Sequence, residues 1–139
     1  MKVDVFTYGS LMFAPVWQRV VRGHHRSIEA TLFGYNRFAV AGEAYPGILA
    51  HSESAHDAQV TGLVYLGVDA DDLLRLDRFE GEDYQRCTVG VHTDAAPPVL
   101  SAQTYVYKNA ARLSELAWNP QEFALEKFMA SYCRDTAGN

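Results

Sequence analysis

Two segments of the sequence carry residues whose types and spacing suit anion binding and proton transfer. The first is Tyr8-Gly9-Ser10-Leu11, where the apolar stretch 3–8 ends in a glycine-containing turn that runs toward a predicted helix. Successive backbone N–H groups in such a turn can form a concave site for an anion, and Gly9 lets a ligand approach the main chain closely. The alternative is a plain turn that ends a strand, and the four residues alone do not decide between the two.

The second segment is Leu76-Asp77-Arg78-Phe79-Glu80-Gly81, at the end of another predicted helix. At ~100° per residue Glu80 falls on the same face as Leu73 and Leu76, so it projects from the apolar side. Desolvation, the negative end of the helix dipole and the neighbouring Asp77 would each raise the pKa of Glu80, which suits general acid–base catalysis. The alternative is a glutamate that reaches water or pairs with an arginine. Asp77 itself is expected to be structural, capping the helix or pairing with basic groups.

The remaining polar candidates are weaker. His24 and His25 are adjacent and therefore point in different directions, which favours a solvated loop over a metal or anion site. The same interpretation holds for His51 and His56, which lie in a polar stretch at 51–58. Cys87 lies in an alternating strand and is therefore expected to fill the core. A role as a nucleophile is disfavoured, because no histidine partner for it is predictable.

The composition limits the kinds of protein that this chain can be. Its 139 residues and 15.5 kDa predict a single domain over 1–139, and 48% hydrophobic with 21% charged residues is typical of a globular domain. A net charge of −5 disfavours binding to nucleic acid through a basic surface. Cys87 and Cys133 lie far apart, which argues against a disulfide scaffold and a cysteine zinc site.

The sequence predicts a cytoplasmic protein without a membrane segment. The N-terminal residues lack the apolar core of a signal peptide, and no apolar run approaches the ~18–20 residues that cross a bilayer.

These residues must be positioned by a fold in which short strands outnumber helices. Strands are predicted at 3–8, 27–33, 37–40, 60–68, 84–92 and 102–108, the last of which places Tyr105 and Tyr107 on one face, lining a pocket or packing in the core. Helices are predicted at 15–21, at 69–80 and from Asn119 onward, with a frayed tail at 134–139. Tyr45-Pro46-Gly47 is a turn signal, and Gly62 marks a close backbone approach or a bulge. The pattern predicts an α+β fold with a curled antiparallel or mixed sheet, and not a doubly wound fold.

Several segments together resemble one known family. They span residues 5–12, 45–48, 60–65 and 76–81, followed by Tyr84 and Arg86 and by the aromatic residues Trp118, Phe123 and Phe128. In this order they resemble the landmarks of the γ-glutamylcyclotransferase-like superfamily, also called AIG2-like. The resemblance implies a small curled mixed β-barrel with flanking helices, and a pocket between the Tyr8–Leu11 loop and Glu80.

The resemblance also implies an activity. Such enzymes convert a γ-glutamyl compound to 5-oxoproline and release an amine or amino acid, with the substrate's own α-amine as the attacking group. Glu80 is then expected to be the general acid/base, and Tyr8, Gly9, Ser10 and Leu11 to bind the small-molecule substrate through its α-carboxylate. No metal or organic cofactor is expected. The identity of the leaving amine and the oligomeric state are not indicated.

Two other functions remain open at this stage. The first is a non-catalytic small-molecule binding module that keeps the same fold and pocket, which would need the loop but not a titrating Glu80. The second is an adaptor that uses exposed aromatic residues, which would need a large apolar patch.

Overall fold

A closed five-stranded barrel and a separate three-stranded sheet form the β-structure of this protein, for which a computed structural model describes residues 2–50, 58–94, 98–123 and 128–129. The strands are β1 (Lys2–Thr7), β2 (Ser27–Phe33), β3 (Tyr35–Val40), β4 (Pro46–Ala50), β5 (Gln59–Asp69), β6 (Tyr84–His92), β7 (Val99–Tyr107) and β8 (Leu113–Ala117). The longer helices are α1 (Ala14–Val20) and α2 (Ala70–Glu80), and short 3-10 turns lie at Ser10–Met12, Ala110–Arg112 and Pro120–Glu122. None of the described helices has the length and apolar character to cross a membrane.

The barrel has the strand order β1-β5-β2-β6-β7 and closes where β7 meets β1. That closing pair is parallel, with Val5 opposite Gln103, and the other four pairs are antiparallel. The predicted curled, mixed α+β barrel with flanking helices is therefore confirmed, and β1 lies between two neighbours as a strand inside the sheet.

The core follows from the alternation of side chains along β1. Val5 points outward into a cluster that also contains Trp17 of α1 and Leu76 of α2. Phe6 points inward, into a cluster to which every barrel strand contributes. Because side chains alternate between the two faces of a strand, one short apolar strand serves both clusters.

The three-stranded sheet, with the order β4-β3-β8, differs from the sequence prediction in two places. Pro46 and Gly47 open β4 instead of forming a turn, and the chain reverses just before them, at 41–45. A proline is tolerated as the first residue of a strand because its missing N–H is not needed there. The prediction that 102–108 is the last strand is also wrong, because β8 follows it and pairs with β3.

Helix α2 has the ends that the sequence predicts. The Asp69 carboxylate accepts a hydrogen bond from the backbone N–H of Asp72 at 2.8 Å, which satisfies a donor of the first turn. The helix ends at Glu80, and Gly81 follows with φ of 81°. Leu76 is completely buried, so the apolar face is the one deduced from helical spacing.

A buried carboxylate anchors the first turn of α2. Asp72 accepts hydrogen bonds from the backbone N–H groups of Arg22 and Gly23, both at 2.9 Å, from His25 Nε2 at 3.2 Å and from Arg75 Nη1 at 2.6 Å. Burial alone would raise the pKa of Asp72, but these donors together lower it to about 2. The prediction that His25 lies in a solvated loop is therefore wrong, since its side chain is only 6% exposed.

The C-terminal helix starts as predicted but does not run on directly. Asn119 Oδ1 accepts from the Gln121 N–H at 2.9 Å and caps the 3-10 turn Pro120–Glu122. Phe123 then has extended backbone angles, so that turn ends there, while Phe128 and Met129 are helical. Cys133, the tail at 134–139 and the segment 51–57 with His51 and His56 lie outside the described residues.

Cys87 departs from its prediction as a core residue. It carries a free thiol on β6 and is only half-buried.

The predicted close approach at Gly62 is confirmed, and it yields a stability test. A Cβ atom on Gly62 would overlap the carbonyl oxygen of Thr7, so Gly62→Ala must push β5 away from β1. We expect a loss of roughly 2 kcal/mol or more in the free energy of unfolding, measured by urea denaturation.

Gly90→Ala is the matched control, because it also adds a methyl group to a barrel strand. The nearest atom to its new Cβ, in Val99, is 3.7 Å away, so stability should change by less than ~1 kcal/mol. Equal losses for the two variants would contradict the close approach.

Candidate active site

A pocket of about 220 Å³ opens where β1 and α2 both end. The loop Tyr8–Leu11 and the side chain of Glu80 line it together, so the structure brings together the residues that the sequence singled out. The remaining walls are mostly aromatic and consist of Phe6, Thr7, Tyr45, Pro46, Phe79, Asp83, Tyr84, Tyr105 and Phe128.

The loop presents backbone N–H groups because its carbonyls are already occupied. Gly9 and Ser10 accept hydrogen bonds through their carbonyl oxygens from the N–H groups of Met12 and Phe13, at 3.0 and 3.1 Å. In a planar trans peptide the next N–H points the opposite way, so those of Ser10 and Leu11 point out of the 3-10 turn. Within the described part of the chain, no group accepts a hydrogen bond from the N–H of Gly9, Ser10 or Leu11.

Gly9 is also required for packing. A Cβ at this position would lie 2.8 and 2.9 Å from Cδ and Cγ of Pro46, the first residue of β4. Any side chain would therefore separate the loop from β4 and widen one side of the pocket.

The tyrosine hydroxyls around the pocket are held by backbone carbonyls. Tyr8 donates to the carbonyl oxygen of Tyr105 at 2.5 Å, and Tyr84 donates to that of Pro46 at 2.7 Å. Burial, with a smaller contribution from the charge of Glu80, raises the pKa of Tyr8 and Tyr84 well above their ordinary values. Both phenols are therefore neutral near pH 7 and act as fixed parts of the wall.

Glu80 is the last residue of α2 and its side chain lines the pocket. Among the described residues its carboxyl group has no hydrogen-bond or ion-pair partner. Burial raises the pKa of Glu80 from its ordinary value of 4.5 to about 8. Desolvation, one of the effects expected from the sequence, causes this shift, and the group can gain or lose a proton near neutral pH.

Asp77 lies one helical turn before Glu80 and has a structural role, as expected. Its Oδ1 accepts from the Tyr105 hydroxyl at 2.6 Å and pairs with Arg86 Nε at 3.0 Å. These contacts tie the C-terminal end of α2 to β6 and β7, and so fix the backbone that carries Glu80.

Of the two tyrosines predicted to share a strand face, only Tyr105 lines this pocket, while Tyr107 is buried beside it. The sequence did not single out Arg37, whose side chain contacts the loop from outside the pocket, or the wall formed by Tyr45 and Phe79. Arg37 is 29 residues from Tyr8, and no local pattern signals such a contact.

Among the described residues, no group of three or more His, Cys, Asp or Glu side chains is arranged to hold a metal ion.

Comparison with known proteins gives the family. A family model described as Gamma-glutamyl cyclotransferase, AIG2-like, matches residues 5–123, a range that includes both the loop and Glu80. The chain belongs to this family. It is 32% identical over 121 residues to AIG2-like protein A of Arabidopsis thaliana, covering 86% of this chain and 71% of that protein. It is 36% identical to AIG2-like protein C of the same plant, but the match covers 76% of this chain and only 59% of that protein, less than two thirds of its length.

Solved structures of other proteins share the fold. A solution structure of an Arabidopsis thaliana protein superimposes with a TM-score of 0.71 and 30% identity, covering 98% of this chain and 82% of that one. A crystal structure of a yeast γ-glutamyl cyclotransferase specific to glutathione has a TM-score of 0.65 at 15% identity, covering 92% of this chain and 86% of that one. At that identity the second likeness supports the fold alone.

The raised pKa of Glu80 predicts how stability depends on pH. The folded state holds a proton on Glu80 up to about pH 8, whereas the unfolded chain releases it near pH 4.5. As the pH rises from about 4.5 to about 8, the free energy of unfolding of wild type should therefore fall relative to that of Glu80→Gln, by up to roughly 1.4 kcal/mol per pH unit. Urea denaturation of both proteins across this range measures the difference.

Glu115→Gln, which removes an exposed carboxylate on β8, is the matched control for the loss of one carboxyl group. A constant difference between wild type and Glu80→Gln would show that the carboxyl group is not desolvated.

Proposed function

We propose that this protein is an enzyme that cyclises a γ-glutamyl compound to 5-oxoproline and releases an amine or amino acid. The observation that carries the proposal is the shared pocket: a titratable carboxyl group on α2 faces the same small cavity as a loop whose three N–H groups have no acceptor among the described residues. Membership of the family supports the same reaction class.

The two sides of the pocket match the two charges of a γ-glutamyl head group. The α-carboxylate is an anion, and the N–H groups of Gly9, Ser10 and Leu11 are donors with no competing acceptor in the described residues. The α-ammonium is a cation, and it binds beside Glu80. Because an adjacent cation favours the charged form of a carboxyl group, binding lowers the pKa of Glu80 and prepares it to act as a base.

In the proposed reaction the Glu80 carboxylate takes one proton from the α-ammonium. The freed amine nitrogen attacks the γ-carbonyl carbon, which forms the ring C–N bond and a tetrahedral intermediate. Protonated Glu80 then gives its proton to the leaving nitrogen as the original amide C–N bond breaks. The ring nitrogen then passes its extra proton through Glu80 to the departing amine. The products are 5-oxoproline and the amine in its protonated form, and Glu80 returns to its carboxylate form.

The attacking group belongs to the substrate, so the scheme needs no enzyme nucleophile and no metal or organic cofactor. Intramolecular attack by a well-held group reaches effective molarities of order 10⁵–10⁸ M. The contribution of the protein is to fold the substrate into a ring-like pose and to move the proton. Walls fixed by the Tyr8 and Tyr84 hydroxyl bonds suit the first task, and the poised Glu80 suits the second.

The activity is tested by screening γ-glutamyl dipeptides and γ-glutamylamines for release of 5-oxoproline. Glu80→Gln keeps the volume but cannot carry a proton, so the kcat of any substrate found should fall by roughly 10²–10⁴. The KM should rise much less, because the loop remains and only the contact with the α-ammonium is weakened. Glu115→Gln is the control and should keep full activity.

Normal turnover by Glu80→Gln would overturn the role of Glu80. Tight binding of γ-glutamyl compounds by the wild-type protein without any 5-oxoproline would instead indicate the non-catalytic binding module.

The pH profile is a separate prediction. Because the base form is needed, kcat/KM should rise with pH and level off above the pKa of free Glu80, about 8. The rising part of kcat should lie at lower pH, since the bound α-ammonium lowers the pKa of Glu80. Initial rates between about pH 6 and about pH 9 measure both curves, and profiles without a rising limb in this range would contradict the assignment.

A further inference from the structure

Arg37, on β3, contacts the pocket loop from outside the pocket. Its Nη1 donates to the carbonyl oxygen of Tyr8 at 2.8 Å and to that of Thr61 at 3.1 Å. Its guanidinium carbon lies 5.4 Å from the ring centroid of Trp118, which is within the range of a cation–π interaction. The side chain is half-buried and is not among the residues that line the pocket.

The bond to Tyr8 determines which way the next N–H points. In a planar trans peptide the carbonyl of Tyr8 and the N–H of Gly9 project to opposite sides. Because the carbonyl is directed outward at Arg37, the N–H of Gly9 is directed inward. Glycine offers little steric resistance to rotation of this peptide, so the position of the carbonyl depends on its partner.

The other two loop peptides do not need such a partner. Their carbonyls, on Gly9 and Ser10, are held by the N–H groups of Met12 and Phe13 within the 3-10 turn itself. The Tyr8–Gly9 peptide is the one whose carbonyl is held by a distant side chain. If it rotated, a carbonyl oxygen would replace an N–H at the anion side of the pocket and repel a carboxylate.

We propose that Arg37 is a positioning residue for substrate binding: it holds the Tyr8–Gly9 peptide with its N–H facing the pocket, and so completes the set of three donors. The identification of the bound anion as a substrate α-carboxylate rests on the proposed function, but the orientation of the peptide does not. Arg37 acts through the loop and does not touch the reacting atoms.

The contacts of Arg37 also allow a purely structural role, in which it joins the barrel to the three-stranded sheet. That role would change stability without changing the affinity for an anion in the folded protein. The two roles therefore predict different affinities for an anion, different effects on KM and kcat, and different orientations of the Tyr8–Gly9 peptide when Arg37 is replaced.

The experiment compares wild type with Arg37→Met, Arg37→Lys and Arg19→Met. Arg37→Met removes the donors but keeps an apolar stem against Trp118, and Arg37→Lys keeps a cationic donor that can reach one carbonyl. Arg19→Met is the matched control, since Arg19 is exposed on α1 and does not line the pocket. Crystal structures give the orientation of the Tyr8–Gly9 peptide, and calorimetric titration with 5-oxoproline, a carboxylate, gives the Kd. Thermal unfolding defines a temperature at which every variant is folded.

We expect Arg37→Met to show a rotated or doubly oriented Tyr8–Gly9 peptide and to bind 5-oxoproline roughly tenfold or more weakly. With any substrate found, its KM should rise by a similar factor while kcat changes less. Arg37→Lys should recover part of the affinity, and Arg19→Met should match wild type.

An unchanged peptide orientation with unchanged affinity in Arg37→Met would overturn the proposal, whatever happens to stability. Failure of the proposed function has a different signature. No γ-glutamyl compound would then be turned over, yet the peptide would still rotate when Arg37 is replaced.

Discussion

The parallel pairing of β1 with β7 is the constraint on which the pocket depends. It closes the barrel, and a buried hydrogen bond from Thr104 Oγ1 to the carbonyl oxygen of Phe6, at 3.0 Å, reinforces it. From this pair β1 delivers the loop that begins at Tyr8, and β7 delivers Tyr105, whose carbonyl holds the Tyr8 hydroxyl. The contact between β1 and β7 that closes the barrel therefore also forms one wall of the pocket.

Burial sets the charge of the pocket as well as its shape. The Glu80 carboxyl is desolvated and lacks a cationic partner among the described residues, so it is largely protonated at neutral pH. The tyrosines beside it are neutral for the same reason. By contrast, Asp72 at the other end of α2 is more deeply buried yet stays ionised, because four donors surround it. Helix α2 thus carries an ionised Asp72, which four donors stabilise, and a largely neutral Glu80, whose charged form no donor among the described residues stabilises.

Local patterns in the sequence were enough to predict most barrel strands, the ends of α2 and the face from which Glu80 projects. Alternation, an Asp cap and a terminal glycine act over a few residues, so a single sequence displays them. The pairing of the loop with Glu80 needed the family resemblance, because no local pattern brings positions 9 and 80 together. The same limit explains the errors. His25 was predicted to be solvated because its partner, Asp72, is 47 residues away. Strand β8 was missed because most of its residues are exposed and its partner, β3, is distant in the sequence.

The Asp72 cluster has a consequence for the order in which the molecule assembles. Its bonds to Arg22 and Gly23 close chain loops of 50 and 49 residues, whereas the hydrogen bonds within α2 are local. Closing a long loop costs conformational entropy before the contact returns any free energy, so local structure forms ahead of it. Helix α2 can therefore form early, but it takes its final position only after the connection between α1 and β2 has packed against it. The position of Glu80 is a late product of folding, even though the helix that carries it is among the simplest elements to form.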